Sequence, residues 1–347
     1  MALVKVTEED PFTGLPETEE FGTFPGDLHL YYDDVYSLDG KERIEWARRA
    51  EDYACSLASS WRAPLTVMTV LEFPPGLNPD YPVNQQYLTY RMGEASEQLA
   101  EFKAQATRRG IVVTTRIATG IPSEEVNAAA LAEGSELIVM GTRGKSGLAH
   151  VLLGSTAERV IRAAPCPVLA VHMTKEEMLV EHAGISLNRI LVPIDFSDCS
   201  LDALEYAAVV AKQATASFEL LHVLEPLAYG LDFTLSHADE RKHKRELLIK
   251  RLEDLSAALS AAGIAVKSHV RGGVPADSIL DDARTLPSDL IVMGTHGRRG
   301  LSHVMAGSVA EGVLRLAHCP VLTVRSPKFS PSHQRLVTLP AVQRTNS

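Results

Sequence analysis

The chain has 347 residues, 45% of them hydrophobic and 22% charged, with a formal net charge of −10. That length argues for two domains, and the composition is that of a globular protein. The acidic balance gives no electrostatic support to a nucleic-acid partner, and no apolar run approaches the roughly 20 residues needed to span a bilayer.

Residues 1–10 lack the apolar stretch of a signal peptide, so the expected location is cytoplasmic. Residues 1–26 carry Glu8, Glu9, Asp10, Glu17, Glu19 and Glu20 with little apolar periodicity, and read as a flexible acidic tail. Residues 28–34 are a candidate strand with acids at its C-terminal end. Residues 41–62 place Ile44, Ala47, Ala50 or Glu51, Ala54, Leu57 and Ala58 near one helical face. A β-rich strand at 65–71 precedes a Pro/Gly/Asn loop at 74–82. Residues 86–109 read as a helix stopped by Gly110, and 111–117 as a strand. Pro122 starts the next helix, 137–140 is a short apolar strand, 155–164 a helix and 167–171 a final strand. Residues 173–187 form a charged linker with room for a short helix at 175–180.

The pattern then restarts. Strands are expected at 189–194, 218–224, 266–270, 290–293 and 320–324, and helices at 201–213, 239–262, from Pro275 and from Ser308. Residues 326–347 read as a frayed tail. Most of the second set lies 153 residues after the first: Tyr53 matches Tyr206, Gly110 matches Gly263 and Pro122 matches Pro275. Between 131–171 and 284–324, 24 of 41 positions are identical. Such a period is too long for a solenoid and marks two whole domains, 27–172 and 188–325. Each reads βαβαβαβαβ, which predicts an α/β fold: a doubly wound parallel sheet with its ligand crevice at the strands' C-terminal ends.

Each copy carries Gly-x-x-Gly, nine residues, then Gly-Ser: Gly141, Gly144, Gly154 and Ser155, and Gly294, Gly297, Gly307 and Ser308. The glycines follow an apolar strand and feed a helix N-terminus, where backbone N–H groups favour an anion. Tight βα turns and plain N-capping by the serines are the alternatives. The four cysteines, Cys55, Cys166, Cys199 and Cys319, form no Cys-x-x-Cys pair and read as buried core. His150 and His303 recur at matching places, but no carboxylate or cysteine stands at ligand spacing, so no metal site is predicted. No Gly-x-Ser-x-Gly elbow is present; Gly144-Lys145-Ser146 lacks the glycine five residues earlier that a Walker loop requires, Val139 standing there, and no catalytic residue is assigned.

The run Met-Gly-Thr-His-Gly-x-x-Gly-Leu-x-His-x-x-x-Gly-Ser-Val at 293–309, with Pro193-Ile194-Asp195-Phe196-Ser197, resembles the ATP-binding branch of the universal stress protein family. The tandem arrangement resembles its two-domain members. The resemblance implies two five-stranded sheets in the order 3-2-1-4-5, paired about a pseudo-two-fold through their fifth strands, and ATP, with or without Mg2+, across the strand ends. In the second domain it implies contacts from Pro193, Ile194, Asp195, Val223, Met293, Gly294, Gly297, Gly307, Ser308 and Val309. In the first it implies Val70, Met140, Gly141, Gly144, Gly154, Ser155 and Thr156. The 153-residue offset carries Asp195 onto Glu42, inside a predicted helix, so the first domain lacks Pro-x-Asp-x-Ser. Asp33 or Asp34 stands nearest to that role, and the longer connection equally allows a blocked pocket. The expected protein is therefore an intracellular, ATP-binding regulatory module, stronger in its second half, with an unidentified protein partner and room for a homodimer. A weak ATPase or phosphotransfer enzyme and a nucleotide-free scaffold are the competing readings.

Overall fold

A computed structural model describes residues 2–3, 27–33, 40–72, 81–142, 153–172, 185, 187–225, 237–296 and 307–326. The predicted linker helix at 175–180, most of both tails, Asp34, His150 and His303 lie outside the described residues. The chain forms two compact units, Met1–Ser186 with Leu314–Thr323, and Leu187–Val313 with Val324–Ser347.

Unit 1 contains β1 (Ala2–Leu3), β2 (Asp27–Asp33), α1 (Gly40–Trp61), β3 (Leu65–Leu71), α2 (Pro82–Arg108) and β4 (Val113–Thr119). It continues with α3 (Pro122–Ala132), β5 (Ser135–Gly141), α4 (Ser155–Ala163) and β6 (Val168–Val171). The strand order is β4-β3-β1-β2-β5-β6, so the five strands of the repeat run third, second, first, fourth, fifth. Their mutual pairings are parallel, as β2–β3, β3–β4 and β5–β6 show. The two-residue β1 adds an antiparallel bridge, with Ala2 opposite Leu30 and Leu3 opposite His29. Every residue of β3 is buried, as expected for a central strand covered on both faces. Pro122 takes the first helical turn of α3, where its missing N–H costs nothing. Gly110, at φ 79°, closes α2, and Ile111 follows by donating its N–H to the Ala106 carbonyl.

Unit 1 also includes β11 (Val321–Val324) as far as Thr323. Val321, Leu322 and Thr323 lie opposite Ala170, Leu169 and Val168, antiparallel to β6. The Thr323 hydroxyl donates to the Val168 carbonyl at 3.2 Å. The short apolar strand β6, which would invite pairing as a bare edge, is thereby covered.

Unit 2 contains β7 (Arg189–Pro193), α5 (Asp198–Ala214), β8 (Ser217–Leu224), α6 (His237–Ala261) and β9 (Val266–Gly272). It goes on through α7 (Pro275–Thr285), β10 (Leu290–Gly294) and α8 (Ser308–Leu316) as far as Val313. Its strand order is β10-β7-β8-β9, with all three pairings parallel. Among the described residues of both units, no helix is long and apolar enough to cross a membrane.

The equivalent helices α1 and α5 show how the repeats diverge. Both lay alanines and one tyrosine against the sheet, Ala50, Tyr53, Ala54 and Ala58 in α1 and Ala203, Tyr206, Ala207 and Ala211 in α5. Where α5 buries Leu204, α1 carries Glu51. Burial pushes the Glu51 carboxyl up to about 7, with Asp52 pushing in the same direction, and among the described residues its Oε1 has no hydrogen-bond partner. Burial likewise pushes the nearby Cys55 thiol up to about 12, which keeps it in the thiol form in the folded unit.

Candidate functional site

The chain reverses its direction across the sheet between the first and fourth strands of each repeat. In unit 2, β10 pairs with β7 in the register Leu290 to Ile190 and Ile291 to Leu191. Carried on, that register sets Met293 beside Pro193 and Gly294 beside Ile194. A crevice at such a switch point is where open α/β sheets bind ligands.

Gly294 is required there by close packing. A Cβ at this position would stand 2.9 Å from the Cys199 backbone carbon and 2.9 Å from its Sγ. The glycine lets the first turn of α5 rest on the end of β10. Beyond it, Thr295 is buried and its N–H donates to the Val324 carbonyl at 3.0 Å. The Thr295 carbonyl then accepts from the Gly307 N–H at 2.8 Å. Unit 1 repeats both bonds: the Thr142 N–H to Val171 at 3.2 Å, and the Gly154 N–H to Thr142 at 2.7 Å. Each loop is thus pinched at its base across twelve residues. The pinch brings the N-terminus of α8, or of α4, beside the end of the strand that precedes the loop.

Gly154 and Gly307 act as helix caps, and their carbonyls accept from the N–H groups of Glu158 and Glu311. The N–H groups of the residues between cap and first bond have no partner within the helix and carry its positive pole. Ser155 and Ser308 are exposed at these ends, and Thr156 and Val309 are half-buried. Backbone N–H groups and hydroxyls are a neutral donor set suited to phosphate oxygens. Gly144, Gly297, Arg298 and Arg299 lie outside the described residues. His296 is half-buried, with its Nδ1 2.9 Å from the Thr295 hydroxyl.

On the other side of the crevice, Pro193 pairs with Leu221, and the buried Ile194 donates its N–H to the Leu221 carbonyl at 2.8 Å. Asp195 follows, half-buried. Its Oδ1 accepts from the Ser197 N–H at 2.9 Å and from the Ser197 hydroxyl at 2.6 Å. Ser197 in turn caps α5, its Oγ accepting from the Ser200 N–H at 3.2 Å. One Asp195 oxygen is therefore committed to the turn. Val223, half-buried, is the last but one residue of β8 and lies opposite Arg271, and Met293 is buried in β10. In unit 1, Val70 and Met140 are buried at the ends of β3 and β5, and Gly141 is half-buried.

The first strand of unit 1 settles which acid takes the position of Asp195. β2 pairs with β3 so that Tyr31 faces Met68 and Asp33 faces Val70. β7 pairs with β8 so that Pro193 faces Leu221, the counterpart of Met68. Two residues on, Asp195 reaches the level of Val223, the counterpart of Val70. Asp33 thus matches Asp195 at an offset of 162 rather than 153, and nine residues are inserted after it. Glu42, which the 153 offset matches to Asp195, lies in α1 as predicted. Residue patterns alone pass over Thr142 and Thr295, the acceptors that pinch the loops. Their signal is the Met-Gly-Thr shared by both copies.

The family model described as the universal stress protein family matches residues 43–172 and 186–325. The chain belongs to the universal stress protein family. The first match begins inside α1 and leaves out β2, whereas the second includes β7. The inserted residues account for that difference. A universal stress protein of Methanocaldococcus jannaschii is 36% identical over 141 residues, covering 40% of this chain and 83% of the relative. One from Mycolicibacterium smegmatis is 26% identical over 299 residues, 83% of this chain and 94% of the relative. The crystal structure of a universal stress protein from Archaeoglobus fulgidus covers 86% of this chain and 98% of its own, at a TM-score of 0.61 and 24% identity. That likeness speaks for the fold alone.

Proposed function

We propose that this universal stress protein binds ATP, with or without Mg2+, at the C-terminal ends of the unit 2 strands and acts as a nucleotide-dependent regulatory module. The observation that carries the reading is the Gly307 N–H bond to the Thr295 carbonyl. It holds the α8 N-terminus, with Ser308 exposed, beside the end of β10. Phosphate on that helix end, with the base toward Ile194, Val223 and Met293, fits the donors and apolar surfaces present. The Gly294 contact with α5 supports a narrow, preformed crevice. Unit 1 shares the loop base and has its acid at Asp33, but the inserted residues follow that acid directly; the weaker site is assigned to it.

The test is the number of ATP molecules bound per chain, measured by equilibrium dialysis with and without Mg2+. One tight equivalent is expected. Gly297→Ala combined with Gly307→Ala should weaken it about a hundredfold. A chain that binds no ATP would sink the reading and favour a nucleotide-free scaffold. Phosphate transfer or hydrolysis as fast as nucleotide exchange would favour an enzyme instead.

A further inference from the structure

The residue after Asp195 has an unusual backbone. Phe196 has φ 63°, in the left-handed region, where a bulky side chain is a genuine outlier and strained. Glycine would adopt the same turn without strain, so what phenylalanine adds is the contact of its ring. Those contacts come from two other elements. The Arg251 guanidinium of α6 stands 4.1 Å above the ring centroid, within cation–π range. His222 of β8 packs against Phe196 with ring centroids 5.2 Å apart. His222 is itself buried and fixed, its Nδ1 donating to the Ile194 carbonyl at 2.6 Å. The two residues before Phe196 are thus tied down: Ile194 through His222, and Asp195 through Ser197. Release of the ring would let residue 196 return to negative φ, and the Asp195 carboxylate would swing with it.

We propose that Phe196, gripped by Arg251 and His222, is a positioning residue that presents Asp195 to the nucleotide in unit 2. The inference rests on the reading of this crevice as an ATP site. It also separates the two repeats. The positions in unit 1 that match His222 and Arg251 are Thr69 and Gln98, which supply neither a ring nor a cation.

Calorimetric ATP titration of the full chain tests it, with thermal melting as the control. Phe196→Gly keeps the turn accessible without strain, so the melting temperature should stay close to that of the parent while ATP affinity falls about tenfold. Arg251→Leu should lose a similar factor. Arg251→Lys and Phe196→Tyr keep a cation over a ring and should retain affinity within about threefold. Parent-like affinity in Phe196→Gly and Arg251→Leu would overturn the positioning role and leave the ATP reading intact. A loss in Arg251→Lys equal to that in Arg251→Leu would overturn the clamp as drawn. A parent chain without ATP affinity would overturn both.

Discussion

In unit 2, α5 begins three residues after Asp195; in unit 1, α1 begins seven residues after Asp33. α1 also starts five residues before the position that matches Asp198, which adds about 7.5 Å of helix at that end. The same sheet and the same pinched loops therefore meet two different first connections. In unit 2 the first strand leaves through a short turn that Ser197 caps. In unit 1 the connection is longer and its helix starts earlier. On the proposed ATP reading, duplicated loops need not make duplicated sites, because the first strand's connection differs between the repeats.

The largest expected effect concerns α1. The raised pKa of Glu51 means that the folded state binds its proton more tightly than the unfolded chain. Stability of unit 1 is then highest below about pH 4.5 with respect to this group, falls as pH rises through about 7, and levels off above. The full cost is about 3 kcal/mol. Glu51→Leu, copying Leu204, should raise the melting temperature at pH 8 and remove that slope in calorimetric melts across pH 5 to 8. An unchanged slope would mean that the two helices are equally comfortable. Next is Gly294→Ala, which drives a methyl group into the Cys199 backbone and should destabilise unit 2 by about 1–3 kcal/mol in urea titrations. Ser197→Ala removes the cap of α5 and should cost about 1 kcal/mol. The smallest effect is expected from Asp33→Asn, below about 0.5 kcal/mol in stability. Its value lies in ATP counting: if the chain binds two equivalents and this variant loses one, the contrast between the sites is one of degree only.

Much of this organisation is legible in the residues. The strand at Leu65–Leu71 and the starts at Pro122, Ser155, Pro275 and Ser308 fall where composition puts them, because prolines and glycines punctuate both copies alike. β4 begins at Val113 rather than Ile111, since Ile111 is used to close α2 and the Val112 carbonyl accepts from the Leu65 N–H. α5 starts at Asp198 rather than Leu201, since Ser197 caps it and the apolar periodicity sets in only later. Asp33 and Asp34 are indistinguishable by composition; the register of β2 on β3, a long-range property, chooses between them. The partners of Phe196 come from β8 and α6, 26 and 55 residues away, and no local pattern announces them.

The four buried thiols offer a use of their own. Cys55, Cys166 and Cys319 fall in unit 1, and Cys199 is the single cysteine of unit 2. A thiol-specific reagent can reach each of them only when its surroundings open. The rate at which Cys199 is modified thus reports the breathing of α5 against the end of β10, the contact beside the proposed nucleotide. A ligand seated there should slow that one reaction and leave the other three to keep their own time.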